Sequence, residues 1–371
     1  MSALRLRHIH LASSPAEGIY PSYKTAAAVQ ELLRRRMLDF KDAESSSSSA
    51  RPSRPPSPTL ISFTPQPTYT LGRRQAHPSA SSPSPASSSL SPAEISRLKA
   101  PLHIRSSLRD SQPTLGLAPS RGGAKNTAEA PHSEHIFHPS ILTSPRGGLA
   151  TYHGPGQVVL WPVMVIKSPA PLGYKQFTVR CYSRLLENTT TGLLQRLFGL
   201  KGLTTEDPGV WVRTPRAGSR GGGEGQGEGG EGEGELRKIS ALGIHLRRHV
   251  SSLGAAINLD MPTTSASAPR RGVMNCPSGE EEKVNAWARF IACGLEGKGV
   301  TCVQEELRAA GGAGIPGLDS EIVARAWAEE LAKRMEMNQH NVELVGRDEV
   351  EELVGTAERE GYLEAVGRDE L

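Results

Sequence analysis

Strand-like and helix-like patterns alternate along the 371 residues, and that alternation predicts an α/β domain. Three stretches carry the prediction. LRLRHIHL, from Leu4, alternates polar and apolar residues as a half-buried strand does. VVLWPVMVI, from Val158, is apolar throughout and rich in β-branched residues, and reads as a buried strand. Between them, Tyr23 to Phe40 places Ala27, Val29, Leu32, Leu33 and Met37 at roughly helical spacing with charges interspersed.

The remaining elements follow in order. TLISF, from Thr59, is a strand, and TYTLGRR follows it. Leu172 to Leu200 reads as one long helix interrupted at Gly192, with Cys181 on it as a core thiol. DPGVWV is a short strand ending at Thr214. Leu236–Leu246 and Gly254–Leu259 are two strands joined by a turn at RRHVSS, an antiparallel pair. VNAWARFIACGL leads into a loop at Cys293, and amphipathic helices at about 303–310 and 319–336 close the domain.

Only 37% of the chain is hydrophobic, while Gly, Pro and Ser are plentiful, which suggests one folded core diluted by insertions. Disordered insertions are expected at about 44–58, 76–131, 217–235 and 262–283, within one folded domain of residues 1–340. Residues 341–371 read as a charged tail; its VGRDEV and VGRDEL are too short a repeat to define an architecture. A net charge of +4 does not argue for nucleic acid. No run approaches the ~20 apolar residues of a membrane span. Four cysteines without a CxxC pair suggest free thiols in a reducing compartment. Arg5 and Arg7 without nearby acids fit an import presequence, yet the same residues alternate as a strand. The terminal GRDEL has the form of a retention signal but lacks an apolar leader before it.

The densest stretch is RGGLATYHGPGQ, Arg146 to Gln157. Paired glycines let backbone approach a ligand closely, and Gly-Pro-Gly fixes the direction of His153. This stretch resembles the signature of the lipoyl(octanoyl) transferases of lipoate biosynthesis. KISALGIHLRRHVSSLGAAINLD from Lys238 and ACGLEGKGVT around Cys293 match the same family in order. The resemblance implies a mixed sheet with helices on one side, as in the biotin/lipoate protein ligase catalytic fold.

It also implies an acyltransferase that moves octanoyl from octanoyl-acyl carrier protein, through a cysteine thioester, to a lipoyl-domain lysine. The acceptors so implied are the lipoyl domains of 2-oxoacid dehydrogenase and glycine cleavage complexes. No cofactor and no metal are implied, and the chain is expected to be a mitochondrial monomer without nucleic-acid or membrane partners. Cys293 stands where the family has its acyl-accepting cysteine, although Ala292 replaces the usual proline. Taken alone, a lone cysteine is more often a buried, inert thiol. Lys238 stands where the family has a lysine facing that cysteine; an ammonium there lowers a thiol pKa from ~8.5 and can shuttle a proton. By itself it reads as a surface lysine at a strand edge.

His153 is expected to line the acyl channel and orient the thioester carbonyl. Arg146, Gly147, Gly148, Leu149, Ala150, Thr151 and Tyr152 are expected around the same substrate. Ala241, Leu242 and Gly243, with Gly254, Ala255 and Ala256, match the family's substrate-contacting stretches, and their backbone N–H groups are candidates for an oxyanion site. Lys298 is a candidate for contact with an acidic carrier protein, against plain surface solvation. Two other readings compete: an ATP-dependent lipoate or biotin ligase of the same fold, and a non-catalytic scaffold.

Overall fold

Every side chain of the strand Gln157–Val163 (β8) is buried, as its uncharged, β-branched run requires. It pairs antiparallel with Thr59–Phe63 (β2) on one side and Val250–Asn258 (β11) on the other. From β2 the sheet continues in parallel to Leu6–Leu11 (β1) and Val342–Leu344 (β13). From β11 it continues antiparallel to Gly234–Arg247 (β10), which carries Gly209–Pro215 (β9) antiparallel and Gly299–Val300 (β12) parallel. Among the described residues this is a mixed eight-stranded sheet. The computed structural model describes residues 4–45, 56–76, 90–107, 132–169, 172–215, 234–264, 279–290, 298–312, 314–315, 317–337, 342–368 and 370–371.

Helices cover both faces of this sheet, not one. Tyr23 opens the helix Tyr23–Ser45 (α1), and its ring lies 6.3 Å from Phe63 and 5.0 Å from Trp161. Ser62, one residue along β2, points the other way, where His8 bonds it at 2.7 Å under the charge of Arg325. Arg325 belongs to Ser320–Arg334 (α7), which packs beside Val179–Phe198 (α4) through Trp327 Nε1 donating to Thr190 Oγ1 at 3.1 Å. The physical reason is that β2 and β8 are buried on both faces, so both need cover.

The helix α4 runs unbroken through Gly192. A Cβ there would lie 2.7 Å from Arg334 Nη2, so the glycine serves the approach of α7 and not a break. Cys181 is exposed in the first turn of α4, which overturns its reading as a core thiol. The hairpin turn is narrower than RRHVSS: only Arg248 and His249 lie between β10 and β11, at φ 50° and 64°.

Two regions set aside as insertion or tail belong to the folded body. Within 76–131, Pro92–Lys99 (α3) starts at a Ser91–Glu94 capping box, and Leu102–Ser107 (β4) pairs with His132–Phe137 (β5). Leu98 and Leu102 are buried there. The buried Arg289 donates to Leu98 O at 3.1 Å, Ala100 O at 2.7 Å, Pro101 O at 2.7 Å and Glu282 O at 2.7 Å. Glu282 sits on Gly279–Val284 (α5), which extends into the span 262–283; Gly234 and Glu235, expected in the Gly/Glu tract, open β10. Pro58 accepts from Arg7 N, and α1 runs to Ser45, so the ends of 44–58 are structured too. Residues 46–55, 77–89, 108–131, 217–233 and 265–278 of those spans lie outside the described residues.

At the far end, β13 joins the sheet, and Arg347–Arg359 (α8) buries Leu353 and Ala357 against the core. Val350, Leu353, Val354 and Ala357 form an apolar stripe at helical spacing that the charged average of the tail conceals. Tyr362–Gly367 (α9) follows, its Tyr362 and Leu363 packed on the same core.

A smaller sheet stands beside the main one. Thr68–Leu71 (β3) pairs in parallel with Ser140–Thr143 (β6) and antiparallel with Ala150–His153 (β7). Arg73–Ala76 (α2) continues β3, and Val303–Ala309 (α6) follows β12. Among the described residues no helix is long and apolar enough to cross a membrane.

Candidate active site

A narrow cleft, partly open to solvent, lies between the small sheet and the β10–β11 pair. Its floor is built mostly of small residues in register, Ala241 opposite Ala256 and Gly243 opposite Gly254, with Leu242 opposite Ala255 between them. Above it stand Thr151 and His153 of β7. Strand alternation turns their neighbours Ala150 and Tyr152 away, and Tyr152 packs instead on Tyr69 and Trp287 at 5.3 and 5.5 Å.

Gly147, Gly148 and Leu149 do not line the cleft but shape the turn leading into β7. Gly148 takes φ 90°, and its carbonyl accepts from Arg74 N at 3.3 Å. Arg146 is buried, its Nη2 donating to Thr70 O at 2.7 Å and Thr70 Oγ1 at 3.0 Å. Its stem crosses Gly243, where an added Cβ would lie 2.6 Å from Arg146 Cδ. Tyr23, Trp161 and Leu253 also line the cleft and were not anticipated. Periodicity marks each as core, but no local signal says which cavity a core side chain faces.

His153 is held by a directed hydrogen-bond chain. Asn258 Nδ2 donates to Thr301 O at 2.9 Å, so Asn258 Oδ1 accepts from Gln157 Nε2 at 2.8 Å. Gln157 Oε1 is then the acceptor for His153 Nδ1–H at 2.7 Å. The ring is fixed as the Nδ1–H tautomer, leaving a lone pair on Nε2. Burial, more than the charge of Arg146, lowers its pKa to about 4 against the opposing bond to Gln157. Such a neutral ring offers the cleft an acceptor. A thioester carbonyl needs a donor, so the expected carbonyl-orienting role does not suit this tautomer.

Lys238 is buried, not a solvated edge residue. Its Nζ donates to Pro208 O at 3.0 Å and lies 4.6 Å from the centre of the Trp211 ring. Its Cε is 3.5 Å from the Cβ position of Gly209, the register partner of Ala241, which brings the stem to one end of the cleft. Lys298 Nζ lies 5.2 Å from the same ring and pairs with Asp207, whose carboxyl it holds below the usual range. Trp211 Nε1 donates to Asp207 O at 3.1 Å, and Glu187 Oε1 accepts from Gly209 N at 3.1 Å. Burial pushes the Glu187 carboxyl up.

Cys293 and Cys276 lie outside the described residues. The described chain ends at Phe290, stacked on Trp287 at 5.8 Å, and resumes at Lys298 beside the Trp211 ring. Cys302 is buried, and burial raises its thiol pKa. Among the described residues no group of three or more His, Cys, Asp or Glu is placed to hold a metal ion.

The family profile described as lipoyl protein ligase A/B catalytic domain matches residues 138–312. The mitochondrial octanoyl-acyl-carrier-protein:protein N-octanoyltransferase of Danio rerio is 30% identical over 162 residues, 44% of this chain and 50% of that protein. An octanoyltransferase of Bordetella petrii is 35% identical over 172 residues, 45% of this chain and 66% of that protein. The chain thus spans about half the length of the first of these relatives. Among solved structures, lipoate-protein ligase A bound with ATP superposes with a TM-score of 0.46 at 10% identity, covering 96% of this chain and 94% of that one.

Proposed function

We propose that the chain, which matches the lipoyl protein ligase A/B catalytic domain over residues 138–312 and is similar to octanoyltransferases over about half its length, transfers an octanoyl group from an acyl carrier protein to a lysine of a lipoyl domain. The observation that carries the reading is the cleft floored by paired small residues, with the Lys238 stem arriving at one end. Alanines and glycines leave room for a saturated chain where larger side chains would fill the floor.

Cys293 is the nucleophile of this reading. The thiolate attacks the carrier thioester, the carrier C–S bond breaks, and the carrier thiol leaves with a proton. Octanoyl-Cys293 remains. The acceptor amine then attacks that thioester, an amide forms, and Cys293 departs as thiolate. Lys238, as ammonium, favours the thiolate; as amine, it takes the proton lost by the attacking lysine. Thioester to amide is downhill, so ATP is not consumed. The lipoyl domains of 2-oxoacid dehydrogenase and glycine cleavage complexes are the proposed acceptors, and the mitochondrial naming of eukaryotic relatives supports residence there.

The test is intact mass after incubation with octanoyl-loaded carrier protein in the absence of ATP. A single octanoyl adduct, lost in Cys293→Ser, is the expected result. Octanoylation of a lipoyl domain that depends on ATP, or that proceeds undiminished in Cys293→Ser, would return the ligase reading. Failure to form any adduct or product would return the scaffold reading.

A further inference from the structure

We infer that Leu253 sets the length of acyl chain the cleft accepts; the inference rests on the transfer reading above. The cleft follows the β10–β11 pair from Ala241 and Ala256, near Lys238, to Leu253, whose register partner is Ile244. Three residues of strand, from Ala241 to Ile244, span about 10 Å. An extended eight-carbon chain built from ~1.5 Å bonds spans about 9 Å. A chain starting at the Lys238 end therefore runs out of floor at Leu253.

Two further observations single this residue out. Leu253 has φ 61°, a left-handed conformation that a branched side chain adopts at a cost. Among the residues lining the cleft it alone is a non-glycine with positive φ. Strain of this kind persists where the surroundings over-determine it. They do so here: an added Cβ on the adjacent Gly254 would lie 2.2 Å from Leu160 O, so β11 is pressed against β8 and cannot relax outward. The neighbouring wall is aromatic and locked, with Trp161 held between Phe63 at 4.8 Å and Tyr23 at 5.0 Å. Leu253 is the aliphatic part of that wall that a substitution can shorten without disturbing the rings.

The experiment compares the wild-type chain, Leu253→Gly and Leu253→Ala with carrier protein loaded with chains of eight, ten or twelve carbons. Initial rates of acyl-enzyme formation are read by intact mass. Wild type is expected to prefer eight carbons. Both variants should raise the ten-to-eight and twelve-to-eight ratios roughly tenfold, the discrimination an extra methylene or two is worth in an apolar site. Leu253→Gly also removes the backbone strain and should melt no lower than Leu253→Ala. Should it fail to fold, the alanine variant still gives the ratios. Unchanged ratios, or a wild type indifferent to length, overturn the inference while leaving the transfer reading intact. A wild type that acylates with no chain at all removes both.

Discussion

The Lys238 ammonium lies 4.6 Å from the centre of the Trp211 indole, its register partner across the β9–β10 pair. A face of aromatic ring and one carbonyl, Pro208 O at 3.0 Å, thus hold a buried cation at the edge of the cleft. If that cation supports a Cys293 thiolate, we predict that Lys238→Ala raises the thiol pKa toward ~8.5. Acylation should then slow most near neutral pH and recover partly toward pH ~9. Lys238→Arg should restore thiolate but not transfer to the acceptor, since guanidinium does not give up its proton. The measurement is the pH dependence of Cys293 alkylation; identical titrations in all three proteins would remove the proposed pair.

His153 and His8 make stability sensitive to acid. Burial lowers their pKa values to about 4 and about 3, from an ordinary 6.5. Above pH 6.5 both folded and unfolded states are neutral there, and these groups contribute no pH dependence. As pH falls below that value the unfolded state takes up protons the folded state refuses, so stability falls until the folded values are reached. For His153 the loss amounts to about 3 kcal/mol at most. We predict that His153→Gln flattens the decline of unfolding free energy between neutral pH and pH ~4. An equally steep decline in the variant would show that His153 titrates normally.

Arg237 and Glu306 form a buried ion pair at 3.6 Å, and Glu306 also accepts from Thr214 Oγ1 at 2.7 Å and Thr301 Oγ1 at 2.5 Å. The pair fastens β9, β10 and the end of β12 to one carboxylate. Glu306→Leu strands a buried guanidinium and should cost roughly 3–5 kcal/mol in denaturant unfolding. Combining it with Arg237→Met should recover most of that loss. A single variant as stable as wild type would mean the pair is solvated.

Pro215 and Gly234 are register partners, although nearly twenty residues of Gly/Glu tract separate them in sequence. The ends of any deletion are therefore already adjacent. Replacing 218–231 by a two-residue Asn-Gly turn should preserve the melting midpoint and the proposed octanoyl transfer. A lowered midpoint would show that the tract itself contributes structure.

Leu353 is 5% exposed, on a helix whose composition reads as a charged tail. Leu353→Ala should cost roughly 2–5 kcal/mol, as a core truncation does. A cost below about 0.5 kcal/mol, typical of surface changes, would return α8 to the status of a tail.

The sequence by itself determined the main strands, the long helices and the strand pair of Lys238, because periodicity and turn residues are local properties. It also singled out motif residues that line one cleft: Arg146, Thr151 and His153, with residues 241–243 and 254–256. Only the tertiary structure decided which other side chains join them. Tyr23, Trp161 and Leu253 come from a helix, a central strand and a strained residue of β11, and nothing in their own neighbourhoods marks the cavity they share. The tautomer of His153 depends on Thr301, reached through Gln157 and Asn258. The fate of segment 90–107 depends on Arg289, 191 residues from Leu98, whose guanidinium gathers carbonyls that composition alone would leave to solvent. Local pattern encodes how a segment can bury its own apolar face. Whether a polar segment finds distant donors to satisfy its backbone is settled only when the chain is folded, because those partners lie outside any window of sequence.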